Sequence, residues 1–215
     1  MQILKGALFL FVLVMVILGA RVLGSDIAAE TYYVTAQKKF DGGDIRIAYS
    51  DALRAVRRRP AELRYWQILE RAKVSGRQYT SALEDEPRLR ALGGGQLDPD
   101  DALRFVTCRY ELGQDQEVVK LTRKIIQKNR FYPRAYLLEG VAYVALKQYG
   151  AAENTLLALL NLFPTQVDGV AELAQAYYLA GNAPRALAVL EATNHYPFPR
   201  QARARFEALK VLYAQ

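Results

Sequence analysis

Few residues of this 215-residue chain have the chemistry for catalysis, and the sequence does not group them as a reaction would need. Cys108 is the single cysteine, and it stands between Thr107 and Arg109 without the nearby histidine that would activate a nucleophilic thiol. The single histidine, His195, falls within a turn at 194–199, where a solvated side chain is expected. One cysteine and one histidine do not supply the ligands of the usual zinc sites. The sequence therefore predicts no catalytic residue, no metal site and no cofactor.

Two further clusters suggest ligand sites but favour structural interpretations. The glycine triplet 93–95 lacks the lysine and hydroxyl residue of a phosphate-binding loop, and three glycines favour a connection between helices. Asp98, Asp100 and Asp101 surround Pro99, which is typical of the first turn of a helix. Both clusters are therefore predicted to be turns or helix starts.

The first 24 residues differ in composition from the rest of the chain. The run 6–20 has no polar side chain and is flanked by Lys5 and Arg21. Counted from residue 3 to residue 23, a helix would be about 31 Å long, close to the thickness of about 30 Å of a bilayer core. We therefore expect residues 1–24 to form a transmembrane anchor that contacts the membrane through residues 3–23.

A cleaved signal peptide that ends near Gly24 is the alternative interpretation of this segment. The charges that flank the run are weakly asymmetric: Lys5 and the α-amine precede it, and Asp26 and Glu30 follow the nearby Arg21. The positive-inside rule then favours a cytoplasmic N-terminus and a periplasmic, or otherwise extracytoplasmic, soluble domain.

Beyond residue 24 the sequence repeats itself. Small, aromatic and aliphatic residues recur after 34 positions, so that Gly140, Tyr143, Ala152 and Leu156 are followed by Ala174, Tyr177, Ala186 and Leu190. Units start near residues 29, 63, 99, 133 and 167, and the one longer step contains the glycine triplet. A small residue such as Gly140 is expected where two helices approach each other closely.

This spacing resembles the tetratricopeptide repeat (TPR), a helix–turn–helix unit of 34 residues. The resemblance implies an all-α protein: a transmembrane helix, a right-handed superhelix of about five hairpins over residues 29–200, and a capping helix at 201–215. Ala204, Leu209 and Leu212 are the apolar residues expected on the cap. The second unit departs from the pattern, because its second helix, from about residue 79 to 91, contains Pro87 and should be short or kinked.

The resemblance also places a concave groove along the first helix of each unit. The residues at these positions are Tyr33, Gln37, Phe40, Gln67, Arg71, Val74, Leu103, Thr107, Tyr110, Leu137, Val141, Val144, Ala171, Gln175 and Tyr178. Such a mostly apolar and aromatic set is typical of a surface that binds an extended or helical peptide. The alternative is that some of these residues contact flanking helices. The lysines and asparagines of the carboxylate clamp in chaperone-binding members are absent from these positions.

The net charge of +7 is unevenly distributed. Basic residues concentrate on the second helices of the units, which predicts a convex basic patch of Arg57, Arg58, Arg59, Lys120, Arg123 and Lys124. This patch could contact anionic lipid or an acidic partner, or it could be a solvated surface without a ligand. Nucleic acid is not favoured, because most tyrosines fall at repeat core positions rather than among the basic residues.

Together these features predict a non-enzymatic, membrane-anchored scaffold or adaptor. It would bind a protein or peptide segment in its groove during assembly of an envelope complex. In layout the chain resembles bacterial inner-membrane accessory factors for secretion, pilus assembly or cytochrome maturation. The alternative is a permanent accessory subunit of a membrane complex, attached by its single span. In either case the expected partners are proteins of a membrane, secretion or assembly complex.

Overall fold

A computed structural model describes the backbone of residues 2–214 and the side chains of residues 14, 15 and 24–214. All regular secondary structure in these residues is helical. A short 3₁₀ turn, Thr193–His195, precedes the last helix. The α-helices in chain order are α1 (Gln2–Asp41), α2 (Ile45–Arg58), α3 (Leu63–Ser75), α4 (Tyr79–Leu92), α5 (Pro99–Glu111), α6 (Asp115–Lys128), α7 (Pro133–Ala145), α8 (Tyr149–Leu162), α9 (Val167–Leu179), α10 (Ala183–Ala192) and α11 (Arg200–Tyr213).

The membrane span expected from the sequence falls on α1. Within the part of the chain that the structure describes, no helix has both the length and the apolar character needed to cross a membrane. Apart from residues 14 and 15, however, the side chains of residues 3–23 lie outside the described residues.

Helix α1 differs from the expected start of the first unit near residue 29. It continues without interruption from Gln2 to Asp41, so the first unit begins inside a longer helix. The sequence has no proline before residue 60, and a single glycine such as Gly24 costs a helix only about 1 kcal/mol. Nothing between the apolar run and the repeats is therefore strong enough to end the helix.

The chain divides into two compact units, unit 1 (residues 1–101) and unit 2 (residues 102–215). In unit 1, α1 packs against α2 and α3, and α3 packs against α2 and α4. In unit 2, α6 to α10 each pack against the next helix in the chain, and α7 and α11 also contact α9. Contact between alternate as well as consecutive helices is the pattern of stacked helical hairpins.

The turn inside each hairpin has the same geometry. One residue in each turn has a left-handed backbone, with φ between +58° and +82°, and these residues are Gly43, Arg77, Gly113, Lys147 and Gly181. The next N–H in the chain bonds back to a carbonyl five residues earlier, as in Gln148 N to Tyr143 O at 2.8 Å. This is the Schellman motif that ends helices. The five left-handed residues lie 34, 36, 34 and 34 positions apart, which are the intervals between the repeat starts.

Helices α3, α5, α7 and α9 begin at residues 63, 99, 133 and 167, where the sequence places unit starts. The expectation of a shortened helix at Pro87 is wrong, because α4 has 14 residues, as do α2, α6 and α8. Pro87 is exposed, while Ala82 and Leu89 of the same helix are fully buried. Burial of one face therefore maintains the helix despite the proline.

Helix α11 packs through a different face from the one expected. Ala202, Phe206 and Tyr213 are its buried residues, with Leu209 partly buried beside them. Ala204 and Leu212 are exposed. The spacing of four, three and four residues keeps the buried set on one side of the helix.

Candidate functional site

Three tyrosines from three helices of unit 2 form its most distinctive surface, which we call the tyrosine face: Tyr110 on α5, Tyr178 on α9 and Tyr213 on α11. The rings of Tyr178 and Tyr213 are stacked, with centroids 4.3 Å apart and planes at 17°. Tyr178 is 39% exposed and Tyr213 only 5% exposed. Tyr213 therefore supports a ring whose other side is open to a ligand.

Glu172 of α9 adds a carboxylate to the tyrosine face. Burial raises the pKa of Glu172, nearby Asp168 raises it further, and Arg205 opposes the shift. Burial, followed by the charge of Glu172, also raises the pKa values of Tyr110 and Tyr213. The Glu172 carboxylate therefore lies close to tyrosines of two other helices.

Of the two acids at this place on α9, Asp168 has an arginine partner, and Glu172 is the carboxylate available to a ligand. Arg205 Nη1 lies 2.6 Å from Asp168 Oδ1, so Arg205 forms its ion pair with Asp168 rather than with Glu172. Among the described residues, no hydrogen bond ends on the Glu172 carboxylate. A half-buried carboxylate next to aromatic rings is suited to an N–H donor or a cation carried by an otherwise apolar ligand.

The other groove candidates of unit 2 are divided between surface and core. Leu103 is only 2% exposed, and Ala171 is also buried, so both contribute to packing. Thr107 accepts a hydrogen bond from Arg134 at 3.0 Å and donates one to the Leu103 carbonyl at 2.8 Å. The candidates that retain accessible surface are Leu137, Val141, Val144 and Gln175.

In unit 1 most groove candidates contact neighbouring helices, as the alternative interpretation expected. The Arg71 guanidinium lies 4.5 Å from the centre of the Phe40 ring, and Gln67 donates to Asp101 at 2.8 Å. Tyr33 packs against Tyr65 with ring centroids 5.2 Å apart. Val74 is half-buried, and Gln37 is exposed.

A cluster centred on Arg64 was not predicted. Its two terminal nitrogens bind the two oxygens of Glu30 at 3.1 and 2.8 Å, and the Tyr65 hydroxyl donates to the same carboxylate at 2.8 Å. Burial and this hydrogen bond raise the pKa of Tyr65. Glu30 and Arg64 occupy the same position of consecutive repeats, 34 residues apart. Their opposite charges at equivalent positions could have predicted this ion pair from the sequence.

The six basic patch residues fall in both units and are described separately. In unit 1, Arg57 and Arg58 are exposed, while Arg59 lies 3.4 Å from Asp26 and 3.7 Å from Glu62. In unit 2, Lys120 lies 3.5 Å from Glu117, Arg123 binds Glu139 and the Tyr143 hydroxyl, and Lys124 is exposed.

The cysteine, the histidine and the aspartates first considered for chemistry lie within helices, in a turn or at the start of a helix, and are not grouped as a site. Cys108 is a buried free thiol within α5, and His195 is exposed in the 3₁₀ turn. The Asp98 carboxylate accepts the Asp100 backbone N–H at 2.9 Å at the start of α5, and Asp101 is buried and bonded to Gln67.

These helical hairpins, their recurring turns and the packing of alternate helices define a TPR-like fold. No protein-family model and no curated protein matches the chain. The likeness appears in solved structures, which confirm the all-α, TPR-like fold expected from the sequence.

One similar structure is MamA, with a TM-score of 0.65 and 16% identity over 80% of this chain and 97% of that one. Another is TTC0263, a thermophilic TPR protein of Thermus thermophilus, with a TM-score of 0.64 and 20% identity over 86% of this chain and all of the other. A third is YrrB, described as a TPR protein with an unusual peptide-binding site, with a TM-score of 0.61 and 15% identity over 82% and 90% of the two chains. At these identities the similarity extends to the fold alone.

Proposed function

We propose that this chain is a non-enzymatic scaffold that holds a segment of a partner protein on the tyrosine face of unit 2. The observation that carries the proposal is the stack of exposed Tyr178 on buried Tyr213. Tyrosine is enriched among residues that dominate binding energy, and a ring held in place by a second ring loses little freedom on binding.

The chemistry of the face suggests the kind of segment. Tyr110 and Tyr178 offer partly exposed aromatic surface, and Glu172 offers one carboxylate. An apolar peptide that carries a lysine or arginine side chain matches this combination. The peptide-binding site named for YrrB, a similar fold, is consistent with this proposal.

The proposal includes membrane attachment through residues 3–23, with units 1 and 2 on the periplasmic side and an envelope complex as the partner. It is supported by the apolar run 6–20 and by the basic residues that flank it. In this arrangement the scaffold would act during assembly of the complex.

The test is partner capture by the full chain, purified in mild detergent and compared with two tyrosine variants. Tyr178→Asp places a charge on the tyrosine face and should reduce recovery of captured partners at least tenfold. Tyr196→Asp is the matched control, because Tyr196 is similarly exposed in unit 2 but lies in the turn after α10. With helix content unchanged by circular dichroism, equal capture by wild type and Tyr178→Asp would overturn the proposed site.

The second candidate function is that of a permanent accessory subunit of a membrane complex. The exposed apolar residues at the end of unit 2, Leu179, Val211 and Leu212, favour a lasting interface. Stoichiometry in the same purification distinguishes the two functions. One stable partner set in fixed ratio indicates a subunit, and a mixed, weakly held set indicates a scaffold.

A further inference from the structure

The end of α2 and the turn that leads to α3, together residues 57–62, lie beside the part of α1 that follows the proposed membrane span. Arg59 Nε is 3.4 Å from Asp26 Oδ1. The Arg58 guanidinium lies 4.6 Å from the centre of the Tyr32 ring. Both contacts place this turn at the level of residues 26–32 of α1.

The helical geometry of α1 fixes how far this level is from the span. Asp26 is three residues beyond residue 23, or about 4.5 Å along one continuous helix. The headgroup layer adds about 5–7 Å to each side of a bilayer core. When residues 3–23 cross the core, the Asp26 end of this level therefore lies within the headgroup layer. Tyr32, about 13.5 Å beyond residue 23, lies just outside it, from where a long arginine side chain can extend back toward the headgroups.

Side chains at the turn, and on α3 and α4 beside it, suit this layer. Trp66 Nε1 donates to the Pro60 carbonyl at 2.9 Å, and Arg88 donates to the same carbonyl at 3.0 Å. Arg57 and Arg58 extend from the end of α2 and are exposed. Tryptophan is enriched at membrane interfaces, and arginine binds phosphate in a forked geometry.

The charges at the turn are only partly balanced by the protein. Arg59 pairs with Asp26 and Glu62, and Arg64 pairs with Glu30. Among the described side chains, no carboxylate lies within ion-pair distance of Arg57, Arg58 or Arg88. Three exposed guanidinium groups therefore remain for an anionic ligand.

We propose that Arg57, Arg58 and Arg88, with Trp66, form a surface that binds anionic lipid headgroups beside the membrane span. This inference rests on the membrane attachment proposed above. It assigns unit 1 the role of contacting the bilayer. An attraction between clustered basic residues and anionic lipid falls off within a Debye length, so it requires the closeness that α1 provides.

Trp66 is the only tryptophan of the chain and therefore reports on this surface without labelling. The full chain is reconstituted into vesicles of phosphatidylcholine alone or mixed with phosphatidylglycerol, each containing a lipid with a nitroxide on its headgroup. We expect at least twofold stronger quenching of Trp66 in the anionic vesicles, and loss of the difference in 1 M salt. The salt measurement needs no variant.

Arg57→Gln/Arg58→Gln should remove most of the difference between the two vesicles. Lys120→Gln/Lys124→Gln removes the same charge from unit 2 and should leave the difference intact. Equal quenching of wild-type protein in both vesicles would overturn the inference and favour an acidic protein as the ligand. Failure of the chain to float with the vesicles after carbonate extraction would instead overturn membrane attachment, and the lipid surface with it.

Discussion

Equivalent positions of the two units hold side chains of opposite character. Where α7 and α9 of unit 2 place Tyr143 and Tyr177, α3 of unit 1 places Lys73. Three residues earlier, unit 2 has Gly140 and Ala174, and unit 1 has the fully buried Glu70. At these two positions the α3/α4 hairpin of unit 1 is therefore built with charged side chains, where the α7/α8 and α9/α10 hairpins of unit 2 make apolar contacts.

The difference extends from the core to the surface. In unit 1 arginines cover the aromatic rings, as Arg71 covers Phe40 and Arg64 covers Tyr33. In unit 2 arginines also lie over Tyr143 and Tyr177, but the stacked Tyr178 is left exposed. Because most groove candidates of unit 1 contact other side chains of that unit, while Tyr178 of unit 2 is left uncovered, we assign partner binding to unit 2.

Loss of the buried ion pair in unit 1 should have the largest effect on stability. Lys73 Nζ lies 2.5 Å from Asp85 Oδ2 and 3.1 Å from the Ser81 carbonyl, and both charged side chains are largely buried. Lys73→Met leaves the Asp85 carboxylate without this partner and should lower the free energy of unfolding by about 3 kcal/mol. Guanidinium unfolding followed by Trp66 fluorescence measures the loss in the unit that contains the pair.

The double variant Lys73→Met/Asp85→Leu is the control for the charge itself. It removes both members of the pair, so it should recover most of the stability lost in the single variant. A single variant as stable as wild type would mean that the pair does not support unit 1, and the contrast with unit 2 would fail.

Close packing in unit 2 predicts the next largest effect. A Cβ atom at Gly140 would lie 2.6 Å from Leu156 Cδ2, and Leu156 is itself fully buried. Gly140→Ala should therefore lower the free energy of unfolding by about 1–2 kcal/mol, because the gain in helix propensity does not offset the overlap. Thermal unfolding followed by circular dichroism measures the change.

Gly150→Ala provides the matched control, since Gly150 is also helical but a Cβ there meets nothing within 4 Å. That variant should be as stable as wild type or more stable by up to about 1 kcal/mol. If both variants lost the same stability, close helix approach at Gly140 would not explain the loss.

The sequence allowed the repeat to be predicted because the residues that set its interval, such as Gly140 and Ala152, act locally. It was less informative about α1, which a single glycine such as Gly24 does not end, and about α4, where burial of one helix face outweighs Pro87. The site was predicted in part, since Tyr110 and Tyr178 occupy groove positions. Tyr213 was missed because Ala204 and Leu212 suggested another face of α11.

Substitutions in the turns should have the smallest effect on the free energy of unfolding. They also compare the two units most directly, since each unit has one left-handed turn residue that is not glycine. Arg77 in unit 1 and Lys147 in unit 2 both have φ of 58°. A Cβ atom disfavours this backbone, so Arg77→Gly and Lys147→Gly should each raise the free energy of unfolding by roughly 0.5–1 kcal/mol. Gly181→Ala, at the same turn position, should cost a similar amount. Since the turn geometry is the same in both units, the two gains should be equal in chemical denaturation. A gain in one unit only would mean that the units differ in their backbones as well as in their side chains.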